Sequence, residues 1–194
     1  MSRPTTASPA GFCSRYLEET AALLARVPAE AVAAVVQMVE EAFEEQRTVF
    51  VAGNGGSAAS ASHFANDLMI GVAKRREAGV RVVALTDNVP LITAIGNDFS
   101  FREVFSRQLA GLCRSGDLLI VLSASGNSPN IVAALETARE HRVRSVALLG
   151  MDGGRAATLA DRSVVVDSND YGAIEDVHLV LGHLITTYLQ THPA

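Results

Sequence analysis

Five short apolar runs rich in Val, Ile and Leu constrain the fold of this chain more than any other feature of its sequence. Each run is apolar at nearly every position, as expected of a strand that is covered on both faces. Segments of helical length separate the runs, so each strand can connect to the next through a crossover helix. The sequence therefore predicts an α/β fold with three layers and a five-stranded parallel sheet. The predicted strands are Thr48–Ala52, Arg81–Leu85, Leu118–Leu122, Ser145–Leu149 and Ser163–Val166.

Apolar residues also recur at helical spacing before the first strand and after the last one. Two helices are predicted between about residues 11 and 45, interrupted at Pro28, and the apolar surface of the second favours packing between subunits. A final helix is predicted from about Gly172 to Gln190. We expect a flexible tail over residues 1–10 and one domain over 11–194 that includes the N-terminal helical hairpin. The predicted crossover helices are Ser57–Val72, Leu91–Cys113, Asn130–His141 and Arg155–Ala160.

Composition excludes several classes of partner. The net charge of −5 argues against nucleic acid, and no apolar run approaches the roughly 20 residues of a membrane span. The first dozen residues lack the make-up of a signal peptide, so a cytoplasmic location is expected. Cys13 and Cys113 have no metal-type spacing and are interpreted as two reduced thiols. The basic cluster at residues 74–76 is interpreted as a solvated loop, with a sugar-phosphate contact as the alternative.

A glycine-rich loop, Gly53-Asn54-Gly55-Gly56-Ser57, stands between the first predicted strand and a helix. Ligands of open α/β sheets collect at the carboxyl ends of strands, and glycines allow the backbone to approach an oxyanion or hydroxyl-rich ligand closely. A tight turn with Ser57 as the helix N-cap explains the same residues equally well. The loop is not the GxGxxG pattern of dinucleotide-binding folds.

A serine-rich loop, Ser123-Ala124-Ser125-Gly126-Asn127-Ser128, gives a stronger signal after the third predicted strand. Three hydroxyls, backbone amides and the N-terminus of a helix starting near Pro129 converge there, and together they can bind a phosphate without Lys or Arg. A turn with one capping serine would not account for three serines. The sequence contains no GxxxxGK[ST] motif, which excludes a P-loop nucleotide triphosphatase.

Two pairs of residues have spacing compatible with a metal site. His63 and Asp67 lie four positions apart on one helix, and Glu175 and His183 lie eight apart on the last helix, so each pair shares a helix side. Two histidines and two carboxylates could bind a divalent ion such as zinc. From spacing alone such pairs are more often surface or capping groups, and His178 competes as the partner of Glu175.

The order and spacing of these motifs closely resemble those of the phosphoheptose isomerases in the SIS, or sugar isomerase, domain family. The resemblance covers nearly the whole chain and implies a flavodoxin-like SIS fold, a homotetramer, and zinc at the subunit interface with one divalent ion per site. The implied reaction converts sedoheptulose 7-phosphate to D-glycero-D-manno-heptose 7-phosphate through an enediolate. The motifs that carry it are Gly53–Ser57, His63-Phe64-Ala65, Gly96-Asn97-Asp98-Phe99, Ser123–Ser128, Asp152-Gly153-Gly154 and Glu175-Asp176-Val177-His178.

The resemblance also implies a role for individual residues. Asp67 would remove the C–H proton and His183 would shuttle a proton on the opposite side. The implied metal ligands are His63, Asp67, Glu175 and His183. The implied substrate-binding residues are Asn54, Gly55, Gly56, Ser57, Asn97, Asp98, Ser123, the backbone of Ala124, Ser125, Ser128 and Glu175.

Four positions depart from the family pattern. Asp67 and Glu175 stand where a glutamate and a glutamine are usual, Gly172 replaces an acidic residue and Gly71 replaces an arginine. These changes leave the choice of sugar open. The alternatives are an isomerase of another sugar phosphate, a non-catalytic sugar-phosphate-binding protein, and a scaffold of the DnaA initiator-associating type.

Overall fold

A computed structural model describes residues 8–72 and 80–192 of the chain. The basic cluster at 74–76 and residues 1–7 of the predicted tail lie outside these ranges. The first helix begins at Pro9, two residues before the predicted start, because the Ser8 hydroxyl accepts a hydrogen bond from the Gly11 amide and caps the helix.

The described helices and strands alternate in the predicted order. The long helix predicted over 91–113 is divided into two helices by a short 3₁₀ turn, and the helix predicted over 57–72 ends in a π-helical turn. The elements are α1 (Pro9–Ala25), α2 (Ala29–Glu44), β1 (Thr48–Gly53), α3 (Gly56–Asn66), the π-helical turn Asp67–Val72, β2 (Arg81–Ala84), α4 (Val89–Asp98), the 3₁₀ turn Phe101–Glu103, α5 (Ser106–Leu112), β3 (Leu118–Ser123), α6 (Pro129–Glu140), β4 (Arg144–Gly150), α7 (Gly154–Leu159), β5 (Arg162–Val166) and α8 (Tyr171–Thr191).

The strands form one parallel sheet in the order β2-β1-β3-β4-β5. One apolar core packs α2, α3 and α8 onto one face of the sheet, and a second core packs α4 to α7 onto the other. Both predicted faces are therefore covered, as the all-apolar strands require. The predicted three-layer, five-stranded flavodoxin-like fold is confirmed.

The strand order also sets where a ligand can bind. The chain leaves β1 toward β2 on one side, whereas β3 lies on the other side of β1, so the β1/β3 boundary is the topological switch point where such sheets bind ligands. Gly53 at the end of β1 is in register with Leu122, and Ser123 is in register with Leu149. The glycine-rich and serine-rich loops are therefore neighbours at one edge of the sheet.

Among the described helices, none is by itself both long and apolar enough to cross a bilayer; α1 and α2 would reach that length only as a pair, and they are bent by 71°.

Candidate active site

The glycine-rich loop forms the entry to α3. Gly55 is the N-cap residue with φ of +56°, a conformation that L side chains rarely adopt. A Cβ on Gly56 would collide with the carboxylate of Glu175, so this side chain would have to move if position 56 carried a larger residue. The alternative of Ser57 as N-cap is wrong, because Ser57 is the second residue of the helix and its side chain is buried.

The serine-rich loop has its own internal hydrogen bonds. The Ser123 hydroxyl accepts from the Gly126 amide at 3.1 Å, and the Ser125 hydroxyl accepts from the Asn127 amide at 3.3 Å. Each hydroxyl acts as an acceptor in these bonds and keeps its hydrogen for an anionic ligand. Ser128 is the N-cap residue of α6 but makes no side-chain cap bond, so three hydroxyls and the N-terminus of α6 are available at one point.

The start of α7 packs against the serine-rich loop and forms hydrogen bonds with it. The Gly126 carbonyl accepts from the Ala156 amide at 2.9 Å, and the Asn127 side chain accepts from the Arg155 amide at 3.0 Å. A Cβ on Gly126 would collide with the carbonyl of Gly153. The Asp152-Gly153-Gly154 motif therefore serves as a backbone platform against which the loop packs.

The two loops enclose a small cavity of about 140 Å³. Most of the predicted substrate-binding residues line it, together with Tyr171, which the sequence analysis did not identify. Glu175 supplies the negatively charged side chain of the lining, directly beside the N-terminus of α3. The lining residues are Asn54, Ser57, Leu122, Ser123, Ala124, Ser125, Ser128, Tyr171 and Glu175.

A pair of asparagines joins the two loops. Asn54 and Asn130 exchange two side-chain hydrogen bonds of 2.8 Å, and Asn130 is 2% exposed in the first turn of α6. Sequence reasoning missed Asn130 as part of the site. Its position directly after Ser128-Pro129, in the first turn of α6 beside the serine-rich loop, was the available signal.

A second group of side chains joins α3 and α8 further along their length. His63, Asp67 and His183 form a cluster whose ligand atoms all lie within 4.8 Å of one another. The Nε2 atoms of His63 and His183 are 3.0 Å apart, and they lie 3.2 Å and 3.6 Å from Oδ2 of Asp67. Asp67 begins the π-helical turn that follows α3, an irregularity that is frequent at functional sites.

These distances suit a tetrahedral metal site. A zinc ion with bonds of about 2.0 to 2.2 Å keeps its ligand atoms roughly 3.3 to 3.6 Å apart, close to the three observed separations. Two imidazole nitrogens and a carboxylate oxygen are also a typical donor set for zinc. The cluster therefore fits a divalent ion, with coordination positions left over for other ligands.

Glu175, the expected fourth metal ligand, is not among these donors. Its carboxylate contacts Gly56 and lines the cavity. His178 does not pair with Glu175 either: it is buried, and its Nε2 donates to the Leu149 carbonyl at 3.1 Å. Burial lowers the pKa of His178 to about 4. Its role here is to attach α8 to the end of β4.

The Asn97-Asp98 pair lies apart from the cavity in the single chain. Both residues are exposed at the end of α4, and the Asn97 side-chain amide donates to Asp98 Oδ1 at 2.8 Å. Neither residue lines the cavity described above. Their contact with a sugar therefore stays a prediction.

Comparison with known proteins agrees with this geometry. A model of the SIS domain matches residues 15–150. The phosphoheptose isomerase of a Nitratiruptor species is 40% identical over 149 residues, which cover 77% of this chain and 79% of that protein. The phosphoheptose isomerase of Trichlorobacter lovleyi is 36% identical over 182 residues, 92% of each chain.

Solved structures lead to the same family. The phosphoheptose isomerase from Francisella tularensis superimposes with a TM-score of 0.89 at 28% identity, over 96% of this chain and 100% of that one. The enzyme from Neisseria gonorrhoeae gives a TM-score of 0.88 at 29% identity, over 95% and 100%. The chain therefore belongs to the SIS domain family and, within it, to the phosphoheptose isomerases.

Proposed function

We propose that this protein interconverts sedoheptulose 7-phosphate and D-glycero-D-manno-heptose 7-phosphate through an enediolate. The observation that carries the proposal is that the cavity between the two loops and the His/Asp cluster share the same two helices. Ser57 at the start of α3 lines the cavity, and His63 and Asp67 follow on the same helix. Glu175 near the start of α8 lines the cavity, and His183 follows two turns later.

The spacing of the two groups supports a sugar phosphate of this length. From Ser57 to His63 the axis of α3 advances about 9 Å, at 1.5 Å per residue. A phosphate held by the serines and a reacting carbonyl near the cluster would therefore be separated by a chain of several carbons. A six- or seven-carbon ester could span such a separation.

The chemistry requires a base, an acid and stabilisation of the enediolate. Oδ2 of Asp67 faces the imidazoles, and Oδ1 accepts a long hydrogen bond of 3.4 Å from Asn66. In the proposed mechanism Oδ1 of Asp67 removes the proton from the carbon next to the carbonyl, since this oxygen does not face the imidazoles. His183 transfers a proton on the opposite side.

His63, Asp67 and His183 would hold the zinc ion. When bound, the ion would supply positive charge that stabilises the developing enediolate oxygens. The serine hydroxyls and the N-terminus of α6 anchor the phosphate, and this binding energy positions the reacting carbons. Asp67 and Glu175 replace the residues usual in the family. The carboxylates of these two residues therefore determine how the site binds cations and anions.

We also propose that the protein is a cytoplasmic homotetramer. An apolar groove of about 570 Å³ lies between α8 and the first two helices and is lined by Leu24, Val32, Val36, Leu184 and Tyr188 among others. Burying this groove against another copy would remove apolar surface from water. The two cysteines are free thiols, in keeping with a reducing compartment.

The test follows proton exchange at C1 by NMR in heavy water, using purified, metal-analysed protein with sedoheptulose 7-phosphate and, separately, fructose 6-phosphate. We expect exchange with the heptulose phosphate, and we expect Asp67→Asn to abolish turnover while it still binds the sugar. Exchange only with fructose 6-phosphate would assign another substrate, and no exchange with either in zinc-loaded protein would favour a non-catalytic binding role. Full activity of the Asp67→Asn variant would remove Asp67 from the mechanism.

A further inference from the structure

Asn130 is the buried polar residue that links the two ligand-binding loops. Its side chain is 2% exposed and makes three hydrogen bonds: two with Asn54 and one from the Ile131 amide at 3.0 Å. Asn54 lines the cavity, whereas Asn130 is not among the lining residues. Asn54 is therefore the lining residue through which Asn130 can act on a ligand most directly.

The hydrogen bonds fix which way both amides point. A backbone N–H can only donate, so the atom of Asn130 facing the Ile131 amide must be the carbonyl oxygen Oδ1. The Asn130 Nδ2 group then donates to Asn54 Oδ1, and the Asn54 Nδ2 group returns a bond to Asn130 Oδ1. One N–H and one oxygen lone pair of Asn54 remain free for a ligand, in a fixed orientation.

We propose that Asn130 is a positioning residue that holds Asn54 in the orientation required for binding the sugar phosphate. This inference rests on the proposed function, since it concerns the ligand of the same cavity. Without Asn130 the Asn54 amide could rotate and present either its oxygen or its nitrogen to the ligand. The pair also joins the end of β1 to the start of α6, which fixes the distance between the glycine-rich loop and the serine-rich loop.

A double-mutant cycle tests whether Asn130 acts through Asn54. Affinity for sedoheptulose 7-phosphate is measured by calorimetry in an Asp67→Asn background, in which the sugar binds without turnover. We expect Asn54→Ala and Asn130→Ala each to weaken binding about tenfold, the equivalent of one hydrogen bond. The double variant should bind no more than about twofold more weakly than Asn54→Ala alone.

Asn130→Asp serves as a second variant in case Asn130→Ala does not fold. The aspartate keeps an acceptor for the Ile131 amide, loses the donor to Asn54 Oδ1 and adds a negative charge. Its effect on affinity should also disappear in the Asn54→Ala background, whereas simple charge repulsion of the phosphate would persist there. Asn88→Ala is the matched control, because Asn88 caps α4 through the Leu91 amide away from the cavity and should leave affinity unchanged.

Unchanged affinity in Asn130→Ala or Asn130→Asp would mean that Asn130 is only a structural residue of α6. Fully multiplicative effects of the two alanine substitutions would likewise overturn the positioning role. If the Asp67→Asn protein itself does not bind the sugar, the proposed function fails and the inference fails with it. Binding by that protein together with an unaffected Asn130 variant would refute the inference alone.

Discussion

His178 should make the stability of this protein depend on pH between about 6.5 and 4. The side chain is 1% exposed, and burial lowers its pKa from 6.5 to about 4. Because the Leu149 carbonyl can only accept, Nε2 carries the hydrogen, and Nδ1 is a buried atom for which the described structure has no hydrogen-bond partner. Protonating Nδ1 would place a charge and an unsatisfied N–H in the core.

The sign follows from proton binding in the two states. Between pH 6.5 and 4 the unfolded chain binds a proton at His178 and the folded chain does not, so the free energy of unfolding falls as the pH falls. The full contribution of neutral His178 to the free energy of unfolding is present above the pKa of the unfolded chain. A shift of this size corresponds to about 3 kcal/mol in total, most of which is lost by pH 4.5.

The assay is urea unfolding followed by circular dichroism at pH 7.5, 6.0, 5.0 and 4.5, at one fixed protein concentration. His178→Gln is the informative variant, since its amide can donate to the Leu149 carbonyl but does not titrate. We expect the free energy of unfolding of this variant to fall by about 2 to 3 kcal/mol less than that of the wild type between pH 7.5 and 4.5. Carboxylates that titrate in both proteins cancel in this difference.

His141→Gln is the control, because His141 is exposed at the end of α6 and its change should leave the pH profile unaltered. Equal losses for the wild type and His178→Gln over this pH range would refute the argument that burial keeps His178 neutral.

Two further predictions concern the cavity. Replacing Ser123, Ser125 and Ser128 together by alanine should weaken binding of sedoheptulose 7-phosphate by at least about tenfold per hydroxyl, since hydrogen bonds to charged groups contribute about 1.5 to 3 kcal/mol each. Calorimetry measures this affinity, and Ser106→Ala in α5 is the control. Unchanged affinity of the triple variant would refute phosphate binding by the loop. Gly56→Ala adds a Cβ that collides with the Glu175 carboxylate, so we expect altered phosphate affinity in the same titration. Because alanine favours helix, we expect the thermal midpoint to stay within a few degrees of the wild type. An unaltered affinity would mean that the position of Glu175 does not affect the ligand.

The comparison between sequence and structure separates two kinds of information. The five strands and their parallel arrangement were predictable, because a strand covered on both faces must be apolar throughout and β-helix-β connections leave few alternatives. The adjacency of the loops after β1 and β3 follows from the switch-point rule once the strand order is known. Asn54, Ser57 and the three serines of the second loop were therefore identified from local motifs, and all of them line the cavity.

Positions that depend on side-chain packing between distant segments were not predictable in this way. Glu175 and His183 share one side of α8 in the sequence, yet only His183 meets His63 and Asp67, whereas Glu175 packs on Gly56. Asn130 has no motif of its own, and its hydrogen-bond partner Asn54 lies 76 residues away. Helical and strand periodicity act over a few residues, so they determine the helices and strands and the end of the sheet at which the loops gather. Which side chains meet across those loops is decided by how the finished helices pack on the sheet.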